Sequence, residues 1–197
     1  TILHHVRIMQ ANPKLGILQS LVVGMPSQSA FARIFQFGMR QGMRPYTMGS
    51  AWWIGDCGPF WGHNAMVRVR AFAESCGLPA LKGKPPFGGH VMSHDYVEAA
   101  LLARARWIVR LDDDLGGSFE EGPENLIDHA KRDRRWCQGN LQHLWLIFAR
   151  KLPLTVPRRT ADLPALGPIL AQLETCPAAL AVAQAEGCAP TIFTAPY

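Results

Sequence analysis

The apolar run Leu15-Gly16-Ile17-Leu18-Gln19-Ser20-Leu21-Val22-Val23 is closed by Pro13 on one side and Gly24 on the other. That is the pattern expected of a buried strand, and a buried strand demands elements packed on its sheet. Helical patterns flank it. Ile2, Val6 and Met9 share one side of a helix that Asn12-Pro13 stops, and the chain begins inside that element. After the strand, Ser27 or Ser29 is placed to cap a helix running to about Met43, striped by Ala30, Phe31, Ile34, Phe35 and Gly38.

Strand and helix patterns continue to alternate, which makes the chain α/β. Gly49 to Gly62 has turn composition but holds Trp52, Trp53, Phe60 and Trp61, which are expected to line a groove or pack beneath one. Ala65 to Val69 reads as a strand and Arg70 to Cys76 as a helix ended by Gly77. The proline-, glycine- and lysine-rich segment from Leu78 to Gly89 is a loop. His94 to Arg106 then has helical spacing, Trp107 to Leu111 reads as a strand, and Asp112 to Gly122 as an acidic, glycine-rich loop. Pro123 opens a last long helix whose stripe continues to about Lys151. A change to proline- and alanine-rich sequence sets a boundary near residue 152, with short helices expected at 169–173 and 178–185 and no chemistry in that tail.

Composition narrows the possible partners. Hydrophobic residues at 48% and charged residues at 18% exclude wholesale disorder. A formal charge of +5 favours an anionic partner, yet the basic residues are dispersed except at Lys131 to Arg135. A nucleotide or phosphate ligand fits that better than a nucleic acid does. Five cysteines without C-x-x-C spacing argue for reduced thiols facing the cytosol. No run of 18 apolar residues occurs to span a bilayer.

Two stretches carry the chemistry. Asp95, in Ser93-His94-Asp95-Tyr96-Val97-Glu98, opens one helical pattern; Arg134-Arg135-Trp136 sits inside the next. Read structurally, Asp95 is a helix N-cap paired with Glu98, and the arginines are a solvated helix face. Read chemically, a carboxylate kept ionised by the helix dipole is a general base, the arginine forks suit a diphosphate, and the indole suits a sugar ring; Gly139 lets another group come close. Those are the parts of sugar transfer from an activated phosphate donor. His90 and His94 stand four apart, but Gly88-Gly89 argues against the helix that zinc ligation would need. Asp112-Asp113-Asp114 contains a D-x-D but follows Asp95 rather than preceding it, which favours a solvated loop.

Several motifs in order resemble glycosyltransferase family 2, the family of cellulose synthase, in the branch that builds osmoregulated periplasmic glucans. They are Trp52-Trp53, Asp56 to Ala65, Gly88-Gly89, Ser93 to Ala100, Gly117 to Glu121 and Lys131 to Asn140, and the resemblance spans residues 1–152. It implies a GT-A (Rossmann-like) domain on the cytoplasmic side of a bacterial inner membrane, and inverting transfer of glucose from UDP-glucose to a growing β-1,2-linked glucan. Asp95 then corresponds to the acceptor-activating aspartate, beside His94. Arg135-Trp136 matches the Arg-Trp of the Q-x-x-R-W motif, with Arg132 in place of its glutamine and Arg134 between them. Asp56, Trp61, His63 and Asn64 fall in the loop lining the acceptor site. In this family the uridine-binding strand and a D-x-D for magnesium or manganese lie upstream, so the chain is expected to be the C-terminal, acceptor-side part of the domain, with no metal ligands of its own and with membrane spans in other parts of its parent. The rival expectation is a non-catalytic remnant that binds glycan or a protein through Trp52, Trp53, Trp61 and Trp136.

Overall fold

The computed structural model describes residues 2–148 apart from Pro79. In chain order its elements are α1 (Ile2–Ala11), β1 (Leu15–Ser20), β2 (Val22–Gly24), α2 (Ala30–Ile54), β3 (Ala65–Val67), α3 (Val69–Ser75), α4 (His94–Arg104), β4 (Ile108–Asp112), β5 (Ser118–Glu120) and α5 (Leu126–Phe148). The expected tail helices and the boundary near residue 152 lie outside the described residues.

All six residues of β1 are buried, because it is the middle strand of a sheet ordered β3-β1-β4. It runs antiparallel to β3 and parallel to β4, with Gln19 opposite both Ala65 and Leu111. Successive strand residues face opposite sides, but the register with β4 shifts between Leu15 and Ile17, so Leu15 shares a side with Leu18 and not with Ile17. Ile17 packs with Phe60, Ala71, Cys76, Ala99, Leu102 and Val109 on one side; Leu15 and Leu18 pack with Met9 and Leu115 on the other. Leu15, Ile17 and Leu18 are fully buried, each worth about 2 kcal/mol by the apolar area removed from water. A third cluster, Val91, Val97, Ala100 and Leu146, joins the segment before α4 to α5.

Three expectations are corrected. The apolar run is two strands: past Ser20 the chain leaves the first sheet, and β2 pairs in parallel with β5 as a separate two-stranded sheet. Its partner β5 falls inside the segment expected to be a loop. At three residues, β5 is too short to show alternation. The third correction concerns α2, which Ser29 caps by accepting from the Ala32 amide at 3.3 Å. The helix passes the expected stop at Met43, continues through Pro45, and ends at Gly55 with φ +59°. Pro45 removes the one amide that would bond the Gln41 carbonyl, and the helix resumes beyond it. Trp52 and Trp53 therefore stand on its last turn, 82% and 76% exposed, and are not among the residues that line the cleft described below.

Candidate active site

A cleft of about 770 Å³ opens beside β2 and at the end of β5. One wall is α2, through Phe35, Gln36, Met39, Met43 and Tyr46. The other is made by Trp61 to His63, by Met92 to Tyr96 at the start of α4, and by Glu120, Arg132, Arg135 and Trp136 from β5 and α5. Asp95, Arg135 and Trp136 thus share one concavity, although Asp95 is far from the other two in the chain.

The start of α4 is fixed by α5. A Cβ on Gly139 would lie 2.9 Å from Ser93 Cβ and 3.1 Å from its amide nitrogen, so only glycine allows this approach. One turn on, the buried Gln142 side chain accepts from the Met92 amide at 2.8 Å and donates to the carbonyls of His90 at 2.9 Å and Gly88 at 3.3 Å. His143 Nε2 lies 2.6 Å from the Ser93 carbonyl. Burial lowers the His143 pKa to about 4, so the ring is neutral and Nε2 carries the hydrogen that it donates.

Asp95 is the second residue of α4, not its cap. The capping position belongs to Ser93, whose side chain makes no capping bond. Glu98 does not close a capping box with Asp95 either; it is buried, with Oε2 3.0 Å from His94 Nδ1. The Asp95 pKa is raised, chiefly by burial and slightly by Glu98, against the opposing pull of the Asp95 and Tyr96 amides and His94. Burial outweighs the helix-start amides in setting the direction of the shift. A carboxylate shifted upward is a stronger base than an ordinary one, as proton abstraction from a hydroxyl requires. Gly62, at φ +79°, brings the loop backbone close to it: a Cβ there would sit 3.4 Å from Asp95 Cβ.

The cations of the cleft divide into committed and free. Arg132 pairs with Glu120, which also stands 3.7 Å from His63 Nε2, and its guanidinium lies 4.6 Å from the centre of the Trp136 ring. Arg132 is therefore held between a carboxylate and an indole face. Arg135 makes no ion pair among the described residues and lines the cleft, leaving its fork available to an anion.

Of the remaining expected positions, Trp61, His63 and His94 line the cleft, and Arg134, Asp56 and Asn64 do not. Arg134 is exposed on another face of α5. Asp56 is engaged by Arg110, whose Nη2 is 2.7 Å from Oδ1. Asn64 is a loop fastener, with φ 52° and a carbonyl that accepts from Ser20 Oγ at 2.6 Å. Asp112 Oδ1 accepts from the Asp114 amide at 3.2 Å. Among the described residues no group of three His, Cys, Asp or Glu side chains could hold a metal ion, so the cation implied by the family resemblance finds no ligand set there.

Sequence reasoning missed the buried fasteners. Gln19 Oε1 accepts from the Trp61 amide at 3.1 Å and its Nε2 donates to the His63 carbonyl at 3.1 Å, pinning the loop over the cleft. The available signal was a lone amide inside an apolar run. Gln142 and His143 lie off the apolar stripe of α5 and gave no such signal, and neither did Glu120.

Residues 2–184 match the family model for glycosyl transferase family group 2, and the chain belongs to that family. It is similar to proteins named glucans biosynthesis glucosyltransferase H. The one from Cereibacter sphaeroides is 64% identical over 149 residues, 76% of this chain and 25% of that protein. The one from Rhodopseudomonas palustris is 51% identical over 73% of this chain and 20% of its own length, and the one from Xylella fastidiosa is 50% identical over 77% and 24%. The chain thus spans about a quarter of the length of the curated relatives it matches.

Proposed function

We propose that this chain forms the acceptor-side part of an inverting GT-A glucosyltransferase domain that moves glucose from UDP-glucose to a growing β-glucan, the osmoregulated periplasmic glucan backbone. The observation that carries the reading is the single cleft that joins a desolvated carboxylate, an uncommitted arginine and an indole face. Asp95 takes the proton of the acceptor hydroxyl as its oxygen attacks the anomeric carbon, and the bond to the diphosphate breaks on the opposite face. Arg135 stabilises the charge that gathers on the departing UDP, while Trp136, braced by Arg132, supplies the plane for the acceptor sugar. The relatives' printed name supports glucosyl transfer in glucan synthesis. Magnesium or manganese, if used, is held by residues outside those described here, and the parent acts at the cytoplasmic side of the bacterial inner membrane. The rival reading loses its single tryptophan surface, because Trp61 and Trp136 are in the cleft while Trp52 and Trp53 are not.

Asp95→Asn in the complete polypeptide carrying this domain is the test. Asparagine keeps the shape and cannot accept the proton, so glucan synthesis is expected to fall at least about a hundredfold. UDP-glucose binding and thermal stability stay unchanged or, for stability, rise. Near-normal synthesis would remove Asp95 from the reaction. This chain on its own is expected to bind UDP-glucose only weakly at physiological salt, because lone exposed charge contacts are weak and screened. Micromolar binding with glucose transfer, measured by titration with magnesium or manganese, would place a complete donor site within these residues.

A further inference from the structure

Helix α2 presents two faces to different surroundings. Phe35, Met39, Met43 and Tyr46 line the cleft. On the outward side Ile34, Phe37, Met48 and Trp52 are 76%, 66%, 48% and 82% exposed. At 100° per residue these four fall within an arc of about 60°, so they form one strip along the helix. Gly38 and Gly49 flank the strip with nothing within 4 Å of where a Cβ would stand, which leaves it smooth. A shallow hollow of about 370 Å³ at its start is lined by Ala30, Arg33, Ile34 and Phe37. Two exposed apolar pairs, Ile34 with Phe37 and Met48 with Trp52, thus stand on one line of the helix surface, with Gln41 and Pro45 between them, and such aligned exposure marks a contact with something else.

The charges say what that something is. Arg33 and Arg44 run along one edge of the strip, are exposed, and make no ion pair among the described residues. The whole helix, AFARIFQFGMRQGMRPYTMGSAWWI, contains no Asp or Glu. Its third arginine, Arg40, is turned inward to the Gly24 carbonyl at 3.0 Å. Gln41 is the one polar side chain along the strip, so little there asks for a directional partner. An aliphatic and aromatic strip edged by free arginines on a helix without acids complements a negatively charged lipid surface: apolar side chains enter the acyl boundary, the indole sits at headgroup level, and guanidinium groups meet phosphates. The net charge of +5 acts in the same direction.

We propose that α2 is a membrane-surface helix whose Ile34–Phe37–Met48–Trp52 strip docks on a bilayer rich in anionic phospholipid, with Arg33 and Arg44 on the phosphates. The contact is peripheral, since no helix among the described residues is long and apolar enough to cross a membrane. It is independent of the glycosyl-transfer reading: the strip and the cleft are on different faces of α2.

The experiment is co-sedimentation of the full 197-residue chain with phosphatidylcholine vesicles, with and without phosphatidylglycerol. Binding is expected only when phosphatidylglycerol is present, and it should weaken as salt is raised. Phe37→Ser with Trp52→Ser should weaken it at least about tenfold, and so should Arg33→Glu with Arg44→Glu. Because all four side chains are exposed, circular dichroism and the thermal midpoint should stay unchanged and show that the fold persists. The proposal is overturned by failure to bind either vesicle, by equal binding of both double variants, or by self-association that depends on these residues without vesicle binding.

Discussion

Where α5 meets the start of α4, Gln142 uses both ends of its amide, His143 donates to a backbone carbonyl, and Gly139 admits Ser93 into contact. Across the cleft, α2 buries only Ala32, Gln36 and Thr47 of its 25 residues, and Gly38, Gly42 and Gly49 face open space. The first wall holds Asp95, Arg135 and Trp136; the second holds none of the groups assigned to chemistry. The difference teaches where precision is required. If Asp95 is the base proposed above, it must stay within a fraction of an ångström of its proton, and the interlocked backbone here would hold it so. On the proposed reading α2 has only to offer surface to a glycan, and its few buried contacts let it shift at small cost.

Protonating the interlock should have the largest effect. His143 is neutral in the folded state with a pKa of about 4, against an ordinary value of 6.5 once unfolded. Between those values the unfolded chain binds the extra proton, so stability is complete above pH 6.5 and is lost as pH falls toward 4, by about 3 kcal/mol. Asp95 works in the opposite sense: its raised pKa favours the folded state at low pH and is a cost once pH rises through the shifted value. Urea titrations at a series of pH values should show the His143 slope, and His143→Gln, which keeps a donor but cannot take the proton, should flatten it. An unchanged slope in that variant would mean that the ring does not govern the seam.

Next in size is Gly139→Ala. The new methyl would meet Ser93 Cβ and amide nitrogen at 2.9 and 3.1 Å, and although the Ser93 hydroxyl can rotate away, the backbone cannot. Separation of α5 from α4 should cost about 2 kcal/mol, read as a lowered denaturation midpoint. A neutral result would show that the two helices are not locked.

Much of this was legible in the residues, for reasons that differ between the two walls. The run from Leu15 showed a central strand because burial on both faces leaves a continuous apolar signal. The starts of α4 and α5 could be placed to within a few residues from spacing and from Pro123. The break at Leu21 was hidden, because a strand that changes sheet keeps the same apolar character on both sides. The length of α2 was hidden by Pro45 and Gly49, which read as punctuation and are tolerated in a helix that lies mostly outside the core. Within the site, charge and aromatic identity pointed to Asp95, Arg135 and Trp136, but not to the partner each would find. Arg132 and Arg134 look alike in sequence; only the fold commits one to Glu120 and Trp136 and turns the other away. The direction of the Asp95 shift was not legible in sequence, because desolvation is a tertiary quantity that spacing does not contain.

The smallest predicted effect is the one that tests the comparison most directly, because it makes the same chemical change on the other wall. Gly42 lies inside α2 with nothing within 4 Å of a built Cβ and no positive φ, so alanine meets neither a clash nor backbone strain. Glycine in a helix interior gives up more backbone freedom on folding than alanine does. Gly42→Ala should therefore stabilise the protein by about 0.5–1 kcal/mol, opposite in sign to Gly139→Ala. The two positions are on separate helices without shared partners, so the double variant should show the sum of the two changes in urea denaturation. A loss of stability at Gly42 would mean that α2 is packed against a surface at that point, and the contrast between a locked wall and a loosely held one would fail.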